Sequence, residues 1–165
     1  MNNIKDWDEY FFRIMYLASS KSPDPRTKIG AILVRDKSII STGYNGFPKG
    51  VKDLDERYND REQKINFICH AEFNSIVISA RFGISTKDSI LYTNGIPCNN
   101  CCKSLIQGGI SEIIVHRQWP EFTNKNWIES VKISKIMLQE SKIPVRIYDN
   151  KLNIKTLCDG QIIEV

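Results

Sequence analysis

Two short stretches constrain the fold most, because both carry side chains that bind metal ions. The first spans Cys69–Glu72 and the second spans Pro97–Cys101. Cys98 and Cys101 are three residues apart, so on a helix both thiolates face the same side and can share one ion. His70 is the candidate for a third ligand. Any fold that uses these ligands must bring the two stretches together.

This ligand set predicts a metal centre with one open position. Structural zinc sites usually have four protein ligands, whereas three ligands leave room for a reactive water. Glu72 is two residues from His70, and side chains two apart on a helix do not face the same way. Glu72 is therefore poorly placed to share the ion but can reach a water bound to it. We expect His70, Cys98 and Cys101 to hold Zn²⁺, with Glu72 as the catalytic acid and base.

Each stretch is ambiguous by itself. A Cys-x-x-Cys pair also occurs in redox centres and structural zinc sites, and a His-x-Glu sequence arises by chance. In this order, however, the two match the His-x-Glu and Pro-Cys-x-x-Cys signature of zinc-dependent nucleobase deaminases. A non-catalytic, zinc-stabilised binding domain is an alternative. It needs a fourth protein ligand, for which Cys69 and Cys102 are the candidates.

Composition favours one domain in a reducing compartment. With 165 residues, 41% of them hydrophobic, the chain can bury one core but is too short for two ordinary domains. We therefore expect a single domain over residues 1–165. The five cysteines are an odd number and two are already predicted ligands, which argues against a disulfide framework. The acidic N-terminus is unlike a signal peptide and no apolar segment approaches ~20 residues, so we expect a cytoplasmic protein without membrane association.

Hydrophobic periodicity predicts alternating helices and strands, and hence an α/β sandwich with helices on the sheet faces. Phe73, Ile76, Val77 and Ala80 are expected to form the buried face of one helix. The polar stretch 53–64 has no clear period and is expected to be a surface segment. The predicted elements are a helix to about Ser20, a hairpin over 29–43, a helix from about 70 that ends at Gly83, a strand over 89–93, a helix from Pro97, a strand over 112–115, a helix over 126–141, a strand over 145–148 and a tail hairpin over about 150–165.

Further motifs make the chain resemble the deoxycytidylate (dCMP) deaminases, within the cytidine-deaminase-like zinc superfamily. The motifs are Asp24–Ala31, Gly43–Gly50, Cys69–Asn74 and Pro97–Lys103 with Ile106, Gln107, Gly109 and Ile110. The Gly-Tyr-Asn-Gly sequence is the most telling, because the tRNA and free-cytidine deaminases of the superfamily share the zinc signature but lack that loop. The resemblance implies a three-layer α/β/α sandwich with a mixed central sheet flanked by helices.

The resemblance also implies an activity, namely hydrolytic deamination of dCMP to dUMP and ammonia in pyrimidine deoxynucleotide metabolism. Glu72 would transfer protons between a zinc-activated water and the cytosine ring. The backbone N–H of Ala71 and the carbonyl of Pro97 would hold the base, and Asn45 would contact the sugar. Arg26 is a candidate for the phosphate, with a salt-bridged surface arginine as the alternative.

The chain departs from the family at two positions. Cys102 stands where members often have alanine, and Trp119 lies near the position of a tyrosine that assists phosphate binding. Arg117 and Trp119 are therefore candidate substrate contacts, and a packing role is the alternative for Trp119. The family has members activated by dCTP and inhibited by dTTP, and the resemblance implies a homo-oligomer, a hexamer.

A deaminase that acts on bases in nucleic acid, or on another nucleotide or nucleoside, is the alternative enzyme. A nucleic-acid deaminase needs a basic groove with aromatic platforms. The formal charge of +4, from 23 basic and 19 acidic residues, suits a polynucleotide as well as a small anion. Lysines do gather in the segment 125–142, but they alternate with apolar residues as on a solvated amphipathic helix. A small nucleotide is therefore the favoured partner, and nucleic acid is not.

Overall fold

The structure is a computed structural model that describes residues 4, 6–117, 119–120 and 125–165. Helices and strands alternate along the chain, as predicted. In chain order the elements are α1 (Trp7–Ser19), β1 (Gly30–Arg35), β2 (Ser38–Tyr44), α2 (Asp55–Asn59), α3 (Arg61–Phe67), α4 (Ala71–Arg81), β3 (Ile90–Thr93), α5 (Asn99–Gln107), β4 (Glu112–His116), α6 (Lys125–Glu140), β5 (Val145–Tyr148), β6 (Lys155–Cys158) and β7 (Gln161–Glu164).

Five strands form one mixed sheet in the order β2-β1-β3-β4-β5. β1 pairs antiparallel with both β2 and β3, whereas β3 with β4 and β4 with β5 are parallel pairs. Each parallel step passes through a helix, α5 for the first and α6 for the second, because parallel neighbours need a crossover connection. β6 and β7 form a separate antiparallel hairpin in the tail. The predicted mixed central sheet is confirmed.

The sheet separates two hydrophobic clusters, because successive strand residues face opposite sides. Ile32 and Val34 of β1 pack in a cluster with Phe12 and its neighbours on α1. Ala31 and Leu33 pack on the other side, in a cluster with residues of α4, α5 and α6. β1 is thus buried on both faces, as its uninterrupted apolar sequence predicts. The layers are helix, sheet and helix.

The stretch 53–64 is a surface segment, as predicted, and it also has secondary structure that the sequence analysis did not identify. The stretch is largely exposed, but it forms the short helices α2 and α3. Asp60 caps α3 by accepting hydrogen bonds from the backbone N–H groups of Glu62 and Gln63. Phe47 stacks on Tyr58 of α2 with ring centroids 4.2 Å apart. Helices this short repeat too few positions for a 3.6-residue period to be detectable.

The buried face of α4 agrees with the prediction only at Ile76, which is partly buried against the cluster of Ala31 and Leu33, whereas Ala80 is exposed. Phe73 and Val77 are 39% and 43% exposed. The residues that are buried on α4 are Ala71, Glu72, Ser75 and Ser79. β2 approaches α4 so closely that a Cβ on Gly43 would lie 2.2 Å from the carbonyl oxygen of Ala71. Only small side chains fit such an approach, and the hydrophobic pattern of the helix does not report it.

Candidate active site and metal centre

The N-termini of α4 and α5 carry the predicted metal ligands. His70 is the N-cap of α4 and Cys98 is the N-cap of α5, both with extended backbone angles. Cys101 follows in the first turn of α5. The sequence analysis placed His70 and Cys98 inside these helices, whereas in the structure each lies one residue before the first helical residue. Neither side chain makes a capping hydrogen bond to its helix, so both are available to bind a metal ion.

The three ligand atoms lie close enough to bind one ion. Nδ1 of His70 is 3.3 Å from Sγ of Cys98 and 3.5 Å from Sγ of Cys101. Zinc bonds to sulfur at about 2.3 Å and to nitrogen at about 2.0 Å, which places tetrahedral ligand atoms roughly 3.5 Å apart. Within the described residues, these three form the one group of histidine, cysteine and acidic side chains with metal-binding spacing. The ligand set and its spacing therefore fit zinc.

The charges at the site favour a dication. The hydrogen bond from the Cys101 thiol, helped by His70, lowers the pKa of Cys98 to about 4 although burial opposes it. The same hydrogen bond and burial raise the pKa of Cys101. The hydrogen bond to Cys98 raises the pKa of His70 to about 8. One sulfur is thus stable as a thiolate, and a bound dication displaces the remaining protons from such ligands.

Glu72 lies beside the ligands but outside their group. It is in the first turn of α4 and is 5% exposed. Burial raises the pKa of its carboxyl, although the neighbouring His70 opposes the shift. A buried carboxyl with a raised pKa exchanges protons more readily near neutral pH, as a general acid and base requires.

Neither candidate for a fourth protein ligand joins the site. The backbone of Cys69 is paired with Gly46 by two hydrogen bonds of 2.9 and 3.1 Å. Cys102 is fully buried, and its thiol donates to the carbonyl oxygen of Ser134 at 3.8 Å. Both sulfurs lie outside the group of three ligands. This geometry argues against a closed, purely structural zinc site and leaves the fourth position open.

The residues that flank the ligands are buried or aromatic. Ala71 is the first residue of α4 and Pro97 immediately precedes the N-cap of α5, and both are buried. The ring of Trp127, on α6, has its centroid 6.2 Å from that of His70. The sequence analysis missed Trp127, because a single aromatic residue on an amphipathic helix gives no signal of which helix it faces.

Two predicted phosphate contacts are exposed arginines in ion pairs. Arg26 pairs with Asp159 at 2.7 Å, and Arg117 pairs with Asp149 at 2.5 Å. All four side chains are more than half exposed. Exposed pairs of this kind contribute only about 0–1 kcal/mol, so an incoming anion can replace the carboxylate.

Trp119 is a buried packing residue and belongs to the cluster on the α1 side of the sheet. Its ring lies against the turn that follows β3, where a Cβ on Gly95 would be 3.3 Å from the indole. That turn leads directly to Pro97. Trp119 therefore supports the backbone that enters α5, and its packing role is the one that the structure displays.

Asn45 holds two loops together. Its Oδ1 accepts a hydrogen bond from the backbone N–H of Ile29 at 2.8 Å. Its Nδ2 donates to the carbonyl oxygen of Thr27 at 2.8 Å and to Oδ2 of Asp24 at 3.2 Å. Both amide hydrogens are thus used within the protein, and a substrate hydroxyl would have to donate to the remaining lone pair of Oδ1.

Comparisons with known proteins agree with this site. Residues 5–117 match the family model described as the cytidine and deoxycytidylate deaminase zinc-binding region. The chain is 36% identical over 115 residues to the deoxycytidylate deaminase of Homo sapiens. The alignment covers 66% of this chain and 64% of that protein. This chain is also 32% identical to an uncharacterised deaminase from the luxG 3′ region of Aliivibrio fischeri, and that alignment covers 86% of this chain and 93% of the relative.

A solved structure with the same fold is the dCMP deaminase of the cyanophage S-TIM5 in complex with dCMP and dUMP. It has a TM-score of 0.66 and 25% identity, with 89% of this chain and all of that chain covered. The resemblance drawn from the motifs is thereby confirmed, and zinc is the cofactor that the matched region and the ligand group indicate. The chain belongs to the cytidine and deoxycytidylate deaminase family.

Proposed function

We propose that the protein is a zinc-dependent enzyme that deaminates dCMP to dUMP and ammonia, with the chain 1–165 acting as one deaminase domain. The observation that carries the proposal is the convergence of His70, Cys98 and Cys101 beside the buried carboxyl of Glu72. The choice of dCMP is supported by relatives named deoxycytidylate deaminase and by the cyanophage enzyme crystallised with dCMP and dUMP.

Zinc held by His70, Cys98 and Cys101 would supply Lewis acidity, which would lower the pKa of a water so that hydroxide is available to attack C4 of cytosine at neutral pH. Glu72 accepts the proton from that water and passes it to N3 of the ring. It then carries the second water proton to the departing amine, so that water and dCMP yield dUMP and ammonia. The backbone N–H of Ala71 is assigned to the base, because the first N–H groups of a helix have no partner within it. The carbonyl of Pro97 can accept from the 4-amino group.

The proposal assigns the sugar to Asn45 and the phosphate to the exposed arginines Arg26 and Arg117. A nucleoside monophosphate is dianionic near neutral pH, and a guanidinium can bind it through two parallel hydrogen bonds. Trp119, near the position of the family's tyrosine, is assigned to the same substrate site, where its indole can donate one N–H. These four assignments rest on the family resemblance.

We further propose a homo-oligomer, a hexamer as the resemblance implies, with dCTP and dTTP as effectors. Its support in the structure is the exposed apolar row on and after α4, in which Phe73, Val77 and Phe82 lie. Exposed apolar patches are typical of protein interfaces. Size-exclusion chromatography with light scattering tests the assembly, and addition of dCTP or dTTP to the activity assay tests the effectors.

A cytoplasmic location completes the proposal. All five cysteines are free thiols, which suits a reducing compartment. Within the described residues, every helix is too short or too polar to cross a membrane.

Ammonia release from dCMP, CMP, deoxycytidine, dCTP and single-stranded DNA tests the proposed function. We expect the highest kcat/KM for dCMP. Glu72→Gln should retain zinc and lose a factor of about 10²–10⁴ or more in kcat, because the amide cannot transfer protons. Glu62→Gln, an exposed glutamate on α3, is the matched control. Preference for single-stranded DNA would assign the enzyme to the nucleic-acid deaminases instead, and near-normal turnover by Glu72→Gln would refute the role of Glu72.

A further inference from the structure

A buried ion pair lies outside the metal centre, between the loop that precedes β1 and helix α3. Nζ of Lys64 is 2.6 Å from Oδ2 of Asp24, and the two side chains are 19% and 1% exposed. Removing charges from water is unfavourable, so a buried pair persists only where further hydrogen bonds satisfy both groups. The hydrogen bonds of the Asp24 carboxylate therefore show which residues the ion pair holds in place.

The carboxylate of Asp24 is hydrogen-bonded on both oxygens. Oδ1 accepts from the backbone N–H of Arg26 at 2.9 Å and from that of Thr27 at 3.2 Å. Oδ2 accepts from Nδ2 of Asn45 at 3.2 Å and from Lys64. Asp24 thus fixes the backbone of one residue assigned to the phosphate and the side chain of the residue assigned to the sugar.

Lys64 extends this arrangement to the segment that enters the metal centre. The helix that carries it, α3, ends at Phe67, and the chain continues through Cys69 to His70. The backbone of Cys69 is paired in turn with Gly46, the residue after Asn45. One carboxylate and one ammonium therefore connect the loop before β1, the loop after β2 and helix α3, which leads to His70.

We propose that Lys64 is a positioning residue, which acts through Asp24 to hold Arg26 and Asn45 in place for the sugar and phosphate of the substrate. This inference rests on the proposed function, because those contacts are defined by the nucleotide. Without Lys64, Asp24 is a buried anion without its cation, and its loop must shift or admit water. The base is held from α4 and α5, so the main effect falls on the contacts to the sugar and phosphate.

The test compares dCMP with deoxycytidine, which lacks the phosphate. The ratio of their kcat/KM values does not depend on how much of a preparation is active, so general destabilisation leaves it unchanged. Lys64→Met should lower this ratio by about tenfold or more through a higher KM for dCMP. Lys64→Arg should retain most of the preference. Arg61→Met, an exposed cation at the start of the same helix, is the matched control and should leave the ratio unchanged.

Different results would contradict the positioning role of Lys64 and the proposed function. An unchanged ratio in Lys64→Met with stoichiometric zinc, or an equal fall in Arg61→Met, overturns the positioning role. A wild type without preference for dCMP over deoxycytidine overturns the proposed function instead. Where deoxycytidine turnover is too slow to measure, the ratio of the calorimetric affinities for dUMP and deoxyuridine replaces the kinetic ratio. If Lys64→Met does not fold, Lys64→Gln, which keeps a hydrogen-bond donor without the charge, is judged by the same criteria.

Discussion

Replacing Gly43 by alanine should destabilise the protein and disturb the metal centre together. An added Cβ would lie 2.2 Å from the carbonyl oxygen of Ala71 and 2.6 Å from the backbone nitrogen of Ser75. Both atoms belong to the backbone of α4 and cannot rotate away as a side chain can. The helix must move by about 1.2 Å to restore an ordinary contact of 3.4 Å.

The magnitude follows from this displacement. Adding a methyl group to a packed interior costs about 1–3 kcal/mol, and a collision with backbone belongs at the upper end. For a chain of this size, about 3 kcal/mol lowers Tm by roughly 6–12 °C. His70 and Glu72 stand at the displaced end of α4, and a misplacement of about 1 Å can reduce catalysis by about 10²-fold. Stability and kcat/KM should therefore fall together.

Thermal unfolding, zinc stoichiometry and dCMP turnover of Gly43→Ala check this expectation. Gly83→Ala, just beyond the other end of α4, is the control, because φ is +67° there but no atom lies within 4 Å of the added Cβ. Gly83→Ala introduces only backbone strain, of about 1–2 kcal/mol, and should leave kcat/KM unchanged. If Gly43→Ala keeps its Tm within about 2 °C of wild type and remains fully active, the reasoning about the close approach is refuted.

Three further results are expected. Cys98→Ser should lose stoichiometric zinc by metal analysis, whereas Cys158→Ser, a buried thiol outside the ligand group, should keep it. Arg117→Ala should raise KM for dCMP by about tenfold with zinc unchanged, and an equal rise for deoxycytidine would exclude a phosphate contact. Burial acts to raise the pKa of Asp8, but hydrogen bonds, first that from Arg146, lower it overall. Stability from this pair is complete above the ordinary carboxyl pKa and is lost as the pH falls through the lowered one, so urea unfolding of wild type and Arg146→Met should differ less at pH 2–3 than at about pH 6.

The metal ligands could be predicted from sequence because their chemistry is local. Cys98 and Cys101 are brought together by three residues of chain, and the nature of the side chains limits what they bind. Predicting His70 as the third ligand required only the further inference that the N-termini of α4 and α5 meet. The sheet was predictable for a similar reason, since β1 and β2 are joined by a tight turn and the parallel strands by helices.

The contacts that orient the site could not be predicted in this way. The pair of Asp24 and Lys64 joins segments that are far apart in sequence. In the sequence alone, each of these residues is an ordinary charged residue in a polar stretch. Asn45 was singled out for the sugar, and its three hydrogen bonds to the 24–29 loop appear only in the structure. Trp119 was singled out for the substrate, and its burial against Gly95 depends on how the loop after β4 folds back.

The error on the buried face of α4 has a physical cause that connects stability with catalysis. A helix normally buries its apolar stripe, but here the close approach at Gly43 favours small side chains, and hydrogen bonds hold the helix to β2. The hydroxyl of Ser41 donates to the carbonyl oxygen of Ser75 at 2.7 Å, and the side chain of Asn74 donates to that of Tyr44 at 2.8 Å. This arrangement buries Glu72 beside the metal ligands, while Phe73 and Val77 of α4 stay exposed. In the proposed oligomer those side chains would be covered by another subunit, so the burial that the helix lacks within one chain would come from assembly.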